Sequence, residues 1–192
     1  MTFLFDKNNH FNLANIVTFF NITAGILAIY FITHGEFFGA ALFAWLGGAF
    51  DIIDGKIARK YQLSTQFGIQ LDSFADFLSF VIVPSMFLYF AIFDGNEFIL
   101  NTFFVFTAFV FYIISGLRRL IQFNIDSDEG IVSKYFIGIP TPLGAILLWI
   151  IYLIWLFELF PSILGFHVEY IVLTLIIIIG YFLNSKVKIP HP

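Results

Sequence analysis

Four aspartates, Asp51, Asp54, Asp72 and Asp76, lie inside long apolar runs. Asp51 and Asp54 are spaced i, i+3, and Asp72 and Asp76 are spaced i, i+4. On helices each pair shares one face, with about 4.5 and 6 Å of rise between its members. A carboxylate near the centre of a bilayer costs about 2.5–3.5 kcal/mol on insertion scales, so four standing alone would cost on the order of 10 kcal/mol. They must therefore sit near an interface, around a water-filled cavity, or against cations. Convergent carboxylates repel one another unless positive charge lies between them. Hard divalent cations with oxygen ligands meet that need: Mg²⁺, Mn²⁺ or Ca²⁺. Four carboxylates can hold two such ions about 3.5–4 Å apart, the arrangement suited to phosphoryl-type displacements.

Small residues flank the acids. Gly55 follows Asp54, Ala58 lies one turn further on, and Gly68 sits one turn before Asp72. They leave room for a ligand's phosphates to reach bound metals. Close helix packing accounts for the same residues. Arg59 stands just beyond, placed to pair with a phosphate or a carboxylate, or to anchor the helix at the membrane surface.

The elements that position these residues follow from composition. Of 192 residues, 60% are apolar and 11% charged, and the mean hydropathy is +0.94. A soluble domain carries about 25% charged residues, so a soluble enzyme, a disordered tail and a nucleic-acid-binding domain are excluded. Cysteine is absent, which excludes disulfides, thiolate metal sites and a thiol nucleophile. No cleavable signal peptide is evident. The chain reads as an all-α polytopic membrane protein, a single domain over residues 1–192. Six spans are predicted, at 14–33, 37–58, 68–93, 98–121, 139–157 and 168–183. Residues 1–11 could form a short amphipathic helix on the membrane surface. Turn and charge signals separate the spans, among them 124–134, read as a solvated loop, and 158–167.

With six spans, all nine basic residues fall on the side of the termini. Basic residues favour the cytoplasm, so both termini are expected there. The carboxylate pairs lie near the cytoplasmic ends of spans two and three. A short loop joins these two helices, which brings the four acids together.

Written out, the segment is D51-x2-D54-G55-x2-A58-R59-x8-G68-x3-D72-x3-D76. Its eight fixed positions resemble the signature of the CDP-alcohol phosphotransferase family, gap included. The stretches ANIVTFFNITAG (14–25), QLDSFADFLSFVIVP (70–84), LRRLIQFN (117–124) and YFIGIPTP (135–142) resemble its serine-using branch. Gln122 stands where that branch usually carries a second arginine.

The resemblance implies six membrane helices in a homodimer at the cell membrane, with the active site facing the cytoplasm. It implies transfer of a phosphatidyl group from CDP-diacylglycerol, or its ether counterpart CDP-archaeol, to L-serine, releasing CMP. Asp51, Asp54, Asp72 and Asp76 would hold two divalent metals, Mg²⁺ or Mn²⁺, and Asp76 would be the general base. Asn15, Thr18, Asp51, Gly55, Ala58, Arg59 and Gly68 would bind the CDP-lipid. Arg118, Arg119, Asn124 and Lys134 are the candidate serine ligands.

Other readings compete. The same fold could serve another acceptor, such as glycerol 3-phosphate, inositol phosphate or an amino alcohol. A phosphorylated acceptor calls for a denser basic pocket than this chain offers. A divalent-cation transporter also carries intramembrane carboxylates, but it needs polar groups through the full depth. Here the opposite halves of the spans are almost wholly apolar. A silent scaffold would tolerate loss of the aspartates.

Overall fold

The computed structural model describes residues 3–6, 9–95, 102–128, 135–160, 168–185 and 188–190. The helices are α1 (Leu13–Thr33), α2 (Phe37–Tyr61), α3 (Gln66–Asp76), α4 (Val83–Ile92), α5 (Thr102–Asp128), α6 (Thr141–Leu156) and α7 (Val168–Asn184). A π-helical turn, Phe77–Ile82, joins α3 to α4 without a break. Among the described residues, four helical stretches are long and apolar enough to cross a membrane: Leu13–Thr33, Phe37–Tyr61, Gln66–Ile92 and Thr102–Asp126. The apolar helices α6 and α7 have 16 and 17 residues.

The helical fold carries one short ladder: β1 (Tyr135–Ile137) pairs antiparallel with β2 (Lys188–Pro190), Phe136 opposite Ile189. The described residues of the N-terminal segment include a 3-10 turn at Phe3–Phe5. One expectation is corrected: the stretch 124–128, read as loop with Asp126 and Asp128 in it, continues α5. No glycine or proline interrupts it, and Gln122 Nε2 donates to Asp126 Oδ1 at 2.8 Å, one helical turn on. Glu129 and Lys134 lie outside the described residues.

Helix ends follow local chemistry. The Asn12 side chain caps α1 by accepting from the Asn15 N–H at 3.0 Å. Arg59 and Lys60 occupy the last turn of α2, which ends at Gln62 in the left-handed region. Thr65 caps α3, its hydroxyl accepting from the Gly68 N–H at 3.0 Å. Pro140 precedes α6 and Pro142 sits in its first turn, where a missing N–H costs nothing.

The chain forms two compact units, 1–83 and 84–192, the division falling inside the third long helix. In the first, α1 packs along α2 and against α3. Small buried residues let the backbones approach, Ala24, Gly25 and Ala28 on α1 and Ala40, Ala44 and Gly47 on α2. In the second, α7 packs against α5 and α6. Phe87 of α4 meets Trp149 and Tyr152 of α6 with ring centroids 4.5 and 4.8 Å apart. Large apolar side chains such as Phe20, Ile26, Phe38 and Trp45 point outward, the surface a lipid solvent requires.

Gly138 leads from β1 into α6 with φ +79°. A Cβ there would stand 2.9 Å from the carbonyl oxygens of Leu183 and Ser185. Gly138→Ala is therefore expected to destabilise the fold by about 1–3 kcal/mol. Thermal unfolding in detergent checks this, and an unchanged melting temperature would contradict it.

Candidate active site

Three helix ends build the site, all within the first unit. The opening turns of α1 bring Asn15 and Thr18. The closing turns of α2 bring Asp51, Asp54, Gly55, Ala58 and Arg59. Along α3, Gly68 comes from the first turn, Asp72 from beyond the middle and Asp76 is the last residue. Asp51, Asp72 and Asp76 each offer one carboxylate oxygen, and these atoms lie within 4.8 Å of one another. At that separation two full negative charges repel by at least about 3 kcal/mol at an effective dielectric near 20. Three such pairs approach the whole stability of a typical domain. A cation or bound protons must balance them.

Asp54 stands outside this close trio. It is buried and faces the Thr18 hydroxyl, which itself donates to the Ala14 carbonyl at 3.2 Å. Its Oδ2 atom is buried without a hydrogen-bond partner among the described residues, and so is Asp76 Oδ1. Buried carboxylate oxygens left in this way call for a ligand. Convergent carboxylates with unmet oxygens fit a hard divalent cation.

A cavity of about 170 Å³ lies beside the acids. All the residues expected to bind the CDP-lipid line it except Asp51: Asn15, Thr18, Gly55, Ala58, Arg59 and Gly68. Asp54 and Asp72 form its acidic wall, and Ala14, Leu63, Ser64 and Ile69 complete it. Sequence reasoning missed those four, because an apolar or hydroxyl residue at a helix end carries no spacing signal. The Arg59 guanidinium folds over Gly55: a Cβ at Gly55 would lie 3.4 Å from Nη1. It is near enough for its charge to act on Asp72. Gly68 is more tightly constrained. A Cβ there would stand 2.8 Å from Asn15 Oδ1, and the Asn15 amide is tied in place by its 3.0 Å bond to the His10 carbonyl.

The candidate serine ligands belong to the second unit. Arg118 donates to Asn184 Oδ1 at 2.8 Å. Arg119 is buried, and its Nε donates to the Ile139 carbonyl at 3.3 Å. Asn124 lies on α5. Lys134 lies outside the described residues.

Residues 11–182 match the CDP-alcohol phosphatidyltransferase family, and the chain belongs to that enzyme family. It is 31% identical to the CDP-diacylglycerol–serine O-phosphatidyltransferase of Bacillus subtilis, over 92% of this chain and 88% of that protein. It is 29% identical to the enzyme of the same name from Helicobacter pylori, over 92% of this chain and 71% of that one. It is 26% identical to the archaetidylserine synthase of Methanothermobacter thermautotrophicus, over 93% and 70%.

Two outcomes are expected. Asp72→Asn weakens Mn²⁺ binding, followed by electron paramagnetic resonance, at least about tenfold; unchanged affinity would remove the trio as a metal site. Gly68→Ala displaces Asn15 and weakens CDP binding by about tenfold in calorimetry. Wild-type affinity there would show that CDP does not use this cavity.

Proposed function

We propose that the chain transfers the phosphatidyl group of CDP-diacylglycerol, or of CDP-archaeol, to the hydroxyl of L-serine and releases CMP. The observation that carries the reading is the convergence of Asp51, Asp72 and Asp76 beside a cavity walled by small residues and Arg59. The names of the relatives support serine as acceptor.

In this reading Asp51, Asp54, Asp72 and Asp76 hold two divalent cations, Mg²⁺ or Mn²⁺. Such ions would neutralise the diphosphate and the charge that develops on its leaving half. Asn15, Thr18, Gly55, Ala58, Arg59 and Gly68 seat the CDP group. Gly55, Ala58 and Gly68 do so by leaving space, and Arg59 by pairing with phosphate oxygen. Asp76 accepts the serine hydroxyl proton as the serine oxygen bonds to phosphorus and the bond to the CMP oxygen breaks. A carboxylate is a weak base, so its orientation toward that hydroxyl carries much of the effect. Arg118, Arg119 and Lys134 would be the cations for the serine carboxylate, and the Asn124 amide oxygen would accept from its ammonium group.

The membrane setting follows the same logic. Six spans are proposed, with α6 and α7, about 24 and 26 Å long at 1.5 Å per residue, crossing with help from flanking residues. Both termini face the cytoplasm, the chain acts as one domain, and two copies associate. Acyl chains remain in the bilayer while the CDP head and serine meet the site at the cytoplasmic surface of the cell membrane.

The test is CMP release by the purified protein with either CDP-lipid and Mg²⁺ or Mn²⁺, with and without L-serine. Serine-dependent release abolished by EDTA is expected. Release with glycerol 3-phosphate or inositol phosphate but not serine would overturn the acceptor. No release with either lipid and any acceptor would overturn the reaction.

A further inference from the structure

Asn21 is fully buried in α1, two turns beyond Asn15 along the same helix. Its Oδ1 atom accepts a 2.6 Å hydrogen bond from Ser79 Oγ in the π-helical turn. Gly47 of α2 closes the third side: a Cβ there would stand 3.1 Å from Asn21 Oδ1 and 3.3 Å from Ser79 Oγ. Three helical segments thus meet at one polar point. That point lies one turn deeper than the acidic site, because Asn21 follows Thr18 by three residues, Ser79 follows Asp76 by three, and Gly47 precedes Asp51 by four. At those spacings each shares a face with the site residue above it.

Packing alone does not account for this cluster. The Asn21 Nδ2 atom is buried without a hydrogen-bond partner among the described residues, a cost that an apolar side chain of the same shape would avoid. Turning the amide over would exchange which end is left over. Alanine and glycine, among them Ala24, Gly25 and Ala28 on α1 and Ala40 and Ala44 on α2, make up much of the buried surface around it. The π-helical turn begins at the residue after Asp76, and the Val83 N–H reaches back to the Leu78 carbonyl across it. Turns of this kind carry an extra residue at a cost and concentrate at functional sites.

We propose that Asn21, acting through Ser79, is a positioning residue for Asp76. The bond fixes the rotation of the π-helical turn against α1, and with it the direction of the carboxylate one turn above. The inference rests on the reading in which Asp76 is a metal ligand and accepts the serine proton.

The test compares Ser79→Ala, Asn21→Leu and the conservative Ser79→Thr in the full chain. It reads Mn²⁺ affinity without substrate, kcat, KM for the CDP-lipid, and melting temperature. Ser79→Ala is expected to weaken Mn²⁺ binding and to lower kcat by about tenfold each. KM should stay within about twofold, because the cavity residues are untouched. Ser79→Thr should restore both losses. Wild-type Mn²⁺ affinity and kcat in Ser79→Ala would overturn the proposal, as would a lowered melting temperature with neither quantity moved. Should Asn21→Leu fail to fold, Ser79→Ala decides alone, since it removes one oxygen. If wild-type protein binds Mn²⁺ but does not use serine, the acceptor reading fails while the Mn²⁺ comparison still judges the positioning pair.

Discussion

Negative charge gathered at the end of apolar helices has to be balanced, and the first unit is organised around that requirement. Asp51, Asp72 and Asp76 bring carboxylate oxygens within 4.8 Å, a separation at which repulsion is comparable with a domain's net stability. Packing strong enough to hold the helices there, together with a cation or bound protons between the acids, makes the arrangement stable. The fold supplies the first through small residues on α1 and α2. The acids, with unmet oxygens on Asp54 and Asp76, offer a place for the second.

The same small residues serve two ends. Below the acids, alanine and glycine allow close backbone approach, which in a lipid solvent replaces the hydrophobic effect as the source of helix association. Beside the acids, Gly55, Ala58 and Gly68 leave the cavity open. Packing and ligand space, weighed as alternatives for Gly55 from sequence, belong to different levels of one helix pair. Gly47 is a packing residue, and Gly55, two turns on, borders empty space under the Arg59 guanidinium.

The acidic pairs and their shared faces were legible because helix periodicity is local: spacings of three and four residues survive any tertiary arrangement. Helix positions were legible because long apolar runs permit little else in a membrane. What depends on rotation between helices was not. Periodicity puts Asp54 on the face of Asp51 but cannot say that it turns toward Thr18 while Asp51 turns toward Asp72 and Asp76. Asn21 and Ser79 carry no signal in the sequence, because a single polar residue in an apolar run has no spacing partner; here the partner lies 58 residues away. The extension of α5 through 124–128 is hidden in the sequence by Asn and Asp, which favour loops by propensity but here continue the helix. The β1–β2 ladder joins segments too short and too distant to show a strand pattern.

In the proposed function the aspartates of α2 and α3 would form one metal centre. Anomalous diffraction from crystals grown with Mn²⁺ and CDP is the test. Two peaks about 3.5–4 Å apart are expected, bounded by Asp51, Asp54, Asp72 and Asp76. A Mn²⁺ peak elsewhere, with none between these carboxylates, would contradict it.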